Sequence, residues 1–154
     1  MTRMTRKGFT LIELMTVVIV MSILAGIAVM KYIDLRNAAL AAQVASDIHA
    51  VRVGAFNYFA EQEAWPAESG AGAVPIGLGP LLPGQLATSF DRGDYLLDYD
   101  NFGSTAPQIM IGVAITTSDP RLMAKFIATL GSQAPFFVAG NRLTYLIAGP
   151  GGIM

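Results

Sequence analysis
Cysteine is absent from all 154 residues. Disulfides, thiolate nucleophiles and cysteine-built metal sites are thereby excluded together, so packing alone must hold any folded part. Histidine is nearly absent: His49 is the only one, and alone within a helical pattern it reads as a solvated or partner-facing side chain rather than a catalytic or metal-binding group. Charge is also scarce. Asp, Glu, Lys and Arg make up 14% of the chain against 53% hydrophobic residues, and the mean hydropathy is +0.51. That balance is too apolar for a wholly soluble chain of one-domain length.

The apolar excess is concentrated in Phe9–Met30, where Glu13 is the only ionisable side chain. As a helix, this segment measures roughly 33 Å, enough to cross the hydrocarbon core of a bilayer once. Arg3, Arg6 and Lys7 precede it without any acid, and a basic flank of this kind stays cytoplasmic, which directs the remainder outward. Removing Met1–Gly8 leaves seven basic against eleven acidic residues, a formal charge of −4 in place of −1. An acidic balance opposes a nucleic-acid footprint, so nucleic acid is not an expected partner.

Three zones follow one another: a leader, 1–8; a helical pattern from Phe9 to about Glu63; and a Gly/Pro-punctuated remainder from Trp65. From Lys31 the helix becomes amphipathic. Leu40, Val44, Ile48, Val51, Ala55 and Phe59 form one apolar stripe at spacings of three and four, while Arg36, Gln43, Ser46, Asp47, Arg52 and Asn57 are expected on the solvated side. Pro66 is expected to end the helix. Glu68–Gln85 reads as a loop wrapped over the domain surface. Beyond it, Gly93–Asp100, Gln108–Thr117, Pro135–Ala139 and Arg142–Ala148 read as four antiparallel strands, the last two joined by the hairpin signal Gly140-Asn141. Between the second and third lies a short helix, with an Asp119 or Ser118 cap, Pro120 in its first turn and Gly131 at its end. The expected fold is therefore α+β, a long N-terminal helix packed on a four-stranded antiparallel sheet.

The residues Arg6-Lys7-Gly8-Phe9-Thr10-Leu11-Ile12-Glu13-Leu14 resemble the processing site of type IV prepilins and type II secretion pseudopilins. Gly8 exposes its backbone at the membrane face directly after basic residues that cannot enter lipid. The resemblance implies that a membrane-embedded prepilin peptidase cuts between Gly8 and Phe9 and that Phe9 is then N-methylated. A carboxylate one turn into an apolar helix costs on the order of 2.5–3.5 kcal/mol on insertion scales and needs a reason. The resemblance implies that Glu13 pairs with the amino terminus of Phe9 in a neighbouring subunit during assembly, each charge offsetting the other. An ordinary secretory signal peptide or a plain signal anchor would leave Glu13 unexplained.

Two departures from the family bear on which relative this is. Met30 stands where many relatives have a proline, so less kinking is expected there, and the missing cysteine points to a secretion pseudopilin or a cysteine-free minor pilin. The division expected is 1–8 leader, 9–30 membrane and filament-core helix, and 31–154 exported globular domain with the pilin fold.

Elsewhere candidate chemistry is thin. Gly70, Gly72, Gly77, Gly79 and Gly84 lack the Gly-Lys-Ser/Thr and the strand-turn-helix setting of a phosphate loop. Asp91, Asp94, Asp98 and Asp100 offer hard oxygen ligands within ten positions, and some major pseudopilins resembling this chain use calcium in their C-terminal region. The spacing is not that of an EF-hand, and a solvated sheet face carrying Asp98 and Asp100 is the preferred reading, with Tyr95, Leu97 and Tyr99 turned inward. No cofactor is expected.

The expected function is that of a structural subunit, a pseudopilin of type II secretion. A minor type IV pilin or a competence-type DNA-uptake pseudopilin are the alternatives, and an enzyme is not expected for want of any catalytic constellation. Expected partners are other pilin or pseudopilin subunits, prepilin peptidase, an inner-membrane assembly platform and membrane lipid. The expected location is the bacterial inner membrane, single-pass, with the C-terminal domain periplasmic and later part of a filament.

Overall fold
The computed structural model describes residues 8–103, 109–131, 134–149 and 152–153. Arg3, Arg6 and Lys7 of the expected leader, and Gln108 at the start of the second expected strand, lie outside the described residues. The chain forms two compact units, Met1–Arg36 and Asn37–Met154, and one helix, α1 (Leu11–Gln62), contributes to both.

In the first unit every described residue is exposed. An 18-residue window of α1 near the N-terminus has a mean hydropathy of 2.5 with none of it buried inside the chain, which makes this helix long and apolar enough to cross a membrane. Its few hydroxyls are compatible with lipid. Thr16 Oγ1 donates to the Ile12 carbonyl and Ser22 Oγ to the Val18 carbonyl, each at 2.8 Å, so neither asks for water.

The second unit is built on the amphipathic part of α1, which buries Asn37, Ala41, Val44, Asp47, Ile48, Val51, Gly54 and Ala55. The expected stripe is correct at its centre and frays at its ends, since Leu40 is only partly buried and Phe59 is 38% exposed. Phe59 instead stacks on Trp65, with ring centroids 4.7 Å apart. The helix stops at Gln62, with Glu63 left-handed at φ 53°, so termination precedes Pro66 rather than waiting for it.

The sheet comprises β1 (Leu96–Gly103), β2 (Met110–Thr116), β3 (Phe136–Ala139), β4 (Arg142–Gly149) and a two-residue β5 (Gly152–Ile153). The order is β1-β2-β4-β3, all antiparallel, with β5 paired to the end of β4. The four expected strands are present, β1 displaced toward the C-terminus by about a turn's length because Asp91–Tyr95 forms a turn and isolated bridge instead. Alternation sends Tyr95, Leu97 and Tyr99 inward together with Ile111, Val113, Ile115, Leu143 and Ile147, into one core with Val44, Ile48 and Val51 of α1. Each such large aliphatic or aromatic side chain contributes about 1.5–3 kcal/mol on burial.

Helix α2 (Pro120–Leu130) matches its sequence signals: Asp119 accepts from the Arg121 amide at 2.8 Å, Pro120 occupies the first turn, and Gly131 closes the end at φ 79°. It buries Leu122, Met123 and Phe126, the last meeting Tyr95 edge-on at 5.8 Å.

The segment Glu68–Gln85 is not a surface wrap. It contains the short 3-10 helix Gly79–Leu81 and runs into a second, Gly84–Ala87. From this region Leu78, Leu82, Leu86 and Phe90 enter the core. Its backbone also closes the free side of β1, with Gly72 N donating to Leu97 O at 2.8 Å and Leu97 N to Phe90 O at 2.9 Å. Glycine and proline are dense here because the chain must turn repeatedly while its aliphatics point inward, and composition alone does not reveal that direction.

Candidate functional site
The N-terminal site is local. Thr10 precedes the first helical residue, and its hydroxyl accepts from the Glu13 amide at 3.3 Å. In return Glu13 Oε2 accepts from both the Thr10 amide and the Thr10 hydroxyl, each at 2.8 Å. This is a reciprocal capping box, two orphan donors at the helix start satisfied by one Thr and one Glu three positions apart. It also places the carboxylate at the positive end of the helix dipole. Glu13 therefore has an internal partner before any other subunit arrives, and Thr10 belongs to the site although the residue reading did not include it. The signal was present as Thr10-x-x-Glu13 ahead of an apolar run.

Gly8 and Phe9 lie just before this cap, both exposed, Phe9 at 85%. A Cβ added at Gly8 would meet nothing within 4 Å. Among the described residues, packing thus makes no demand for glycine at that position. Phe9, Ile12, Glu13, Thr16 and Val17 line a shallow open groove along the first turns of α1.

The four aspartates considered for calcium do not gather. Among the described residues no group of three or more Asp, Glu or His side chains is placed to hold a metal ion. Asp91 and Asp94 are exposed in the turn before β1, where Asp91 Oδ1 accepts from the Gly93 amide at 2.8 Å. Asp98 and Asp100 share one sheet face as expected, yet that face is not solvated at either position: they are 5% and 3% exposed. Arg142 of β4 reaches across β2 and donates from Nη2 to Asp98 Oδ2 at 2.9 Å and to Asp100 Oδ1. The intervening β2 positions are Ala114 and Gly112, small enough to leave room for a guanidinium. Burial is the strongest influence on Asp100, and although Arg142 pulls the other way, its carboxyl lies above the ordinary value. Burial lowers Arg142, but the two carboxylates outweigh it and the guanidinium is held more tightly protonated.

A second buried cluster was missed. Asp47, expected on the solvated side of α1, is 6% exposed. It accepts from Arg92 Nε at 2.9 Å and Arg92 Nη2 at 3.2 Å, a two-pronged contact. Tyr95 Oη donates to Asp47 at 2.6 Å, and Arg92 Nη1 also donates to Gln85 Oε1 at 3.1 Å. Burial, followed by the hydrogen bond to Asp47, pushes the Tyr95 phenol well above its ordinary value. His49 is exposed on α1, beside a surface depression lined by Ile48, Arg52, Leu130 and Tyr145, without acidic or histidine neighbours there.

Residues 3–29 match the family model of the prokaryotic N-terminal methylation motif. That motif is the type IV prepilin signature, and it covers residues 3–7, Gly8, Phe9, the capping box and most of the apolar part of α1. No curated protein and no solved structure matches the chain.

Proposed function
We propose that this chain is a structural subunit of a type IV-like filament, a pseudopilin of type II secretion, cut between Gly8 and Phe9 and N-methylated on Phe9 by prepilin peptidase. The observation that carries the reading is the capped carboxylate of Glu13 in the otherwise apolar, exposed first part of α1, within the methylation motif. An exposed apolar helix needs lipid or other subunits around it. A carboxylate retained in such a helix needs a partner charge on leaving the membrane. Both bonds from Thr10 go to Oε2, so Oε1 is the oxygen a neighbouring subunit's Phe9 ammonium would take. The open space around Gly8 supports the processing role, because the glycine then answers to the peptidase rather than to the fold. Absence of cysteine favours the pseudopilin over a major pilin. The role is assembly, not catalysis, with an inner-membrane platform and lipid as further partners and the domain after about Lys31 held outside the cytoplasm.

Replacing Glu13 tests this. Glu13→Ala leaves the domain Asn37–Met154 folded and eases membrane residence, but it removes the counter-ion of the neighbouring Phe9, so filament recovery and cargo secretion should fail at equal membrane abundance and equal leader cleavage. Glu13→Gln separates charge from hydrogen bonding, since an equally severe defect assigns the role to the ion pair. Normal assembly by Glu13→Ala cells would remove the subunit from the filament body. Filaments without any secretion defect would move it to a minor pilus role.

A further inference from the structure
Asp98 and Asp100 stand two positions apart on one face of β1, and a single nitrogen of Arg142 serves both. One positive charge therefore faces two carboxyl groups. The remaining oxygens, Asp98 Oδ1 and Asp100 Oδ2, are buried without a hydrogen-bond partner among the described residues. A fully ionised pair would leave one negative charge and two buried acceptors without a partner, a costly arrangement.

Among the described residues, Arg142 is the one cation that acts on Asp100. Across β2 the facing residues are Ala114 and Gly112, and β3, Phe136–Ala139, has no titratable side chain. Glu68, in the segment that follows α1, adds further repulsion to Asp100, and burial acts on it in the same direction. Neutralising one carboxyl resolves both difficulties, because it matches the charges one to one and turns a bare acceptor into a donor.

We propose that Asp100 holds its proton to a higher pH than an exposed carboxyl does, so that one positive charge then faces one negative charge and the β1–β4 contact is an acid-stabilised lock on the sheet. The proton is taken from solvent. A carboxyl that holds its proton more tightly folded than unfolded adds stability that is complete below the unfolded value and is lost as pH rises through the folded one. The lock thus weakens as pH rises through the folded value of Asp100. It does not depend on the assembly role of the N-terminus.

The test is thermal unfolding of the full chain in detergent micelles, followed by circular dichroism from pH 5 to 8, for the wild type, Asp100→Asn and Asp98→Asn. The wild type should lose several degrees of melting temperature over this range. Both amide variants should flatten that dependence relative to wild type, since each leaves one carboxylate for one guanidinium. Carbon-13 titration of the wild-type carboxyls supplies an independent readout, in which Asp100 should titrate at higher pH than the exposed aspartates. Parallel melting profiles for the wild type and both variants would overturn the proposal. If neither variant folds, titration of wild-type Asp100 together with the exposed aspartates overturns it, and separate titration sustains it.

Discussion

Tyr95 donates its phenol hydrogen to Asp47 Oδ2 at 2.6 Å, joining the middle of α1 to the turn before β1 across 48 positions of chain. The same carboxylate takes Arg92 in a two-pronged contact, with only 12% of the arginine side chain and 8% of the aspartate side chain exposed. Asp47→Ala strands a buried guanidinium and a buried phenol together, and the expected cost is about 3–5 kcal/mol. Asp47→Asn keeps an acceptor for Tyr95 and should lose less. Thermal melting of the two variants checks this, and equal stability of Asp47→Ala and wild type would show that the cluster contributes nothing to the fold.

Val51 has no exposed surface and lies where α1 meets the sheet. Val51→Asp places an unpaired charge in that core, at a cost of at least about 3 kcal/mol, a large share of a domain's total stability. A fragment beginning near Lys31 should be soluble and show a cooperative melt, because the buried residues of α1 start at Asn37. The same fragment carrying Val51→Asp should not. An unchanged melting temperature would mean that the stripe faces elsewhere.

Gly79 opens a 3-10 turn pressed against the chain eight residues later. A Cβ there would fall 2.7 Å from the Ala87 carbonyl oxygen, a backbone atom that cannot rotate away. Gly79→Ala should therefore destabilise the domain by about 1–3 kcal/mol. At Gly70, where nothing lies within 4 Å but φ is +88°, the smaller strain of a left-handed alanine is the only penalty, roughly 1 kcal/mol. Comparing the two melting temperatures separates close approach from backbone strain, and a larger loss at Gly70 would contradict the packing of this segment.

Processing can be tested without disturbing the fold, because Gly8 has open space around it. Intact mass of the membrane-extracted protein should correspond to a chain starting at N-methyl-Phe9. Gly8→Val should leave the leader attached, with the domain Asn37–Met154 melting as in the wild type. A mature start near Val29, or an uncut wild-type leader in cells with active prepilin peptidase, would exclude this processing.

The first unit was legible in the sequence because its determinants are local. A run of apolar residues specifies a membrane-length helix without reference to distant parts of the chain, whereas the equally local Thr-x-x-Glu cap was missed because Glu13 was read for assembly alone. The α2 caps, the Gly140-Asn141 hairpin and the inward turn of Tyr95, Leu97 and Tyr99 were legible for the same reason. Asp47 was misplaced although its position, three after Val44 and four before Val51, lies on the buried face of α1. Its polarity outweighed its spacing, because the partners that make its burial tolerable, Arg92 and Tyr95, are 45 and 48 positions away. Alternation set Asp98 and Asp100 on the outer face correctly. Only the tertiary structure decided that this face is closed at these positions, since it brings Arg142 from more than 40 positions away across Gly112 and Ala114. Periodicity determines which way a side chain points; whether that direction holds water or a counter-charge depends on residues that folding alone makes neighbours.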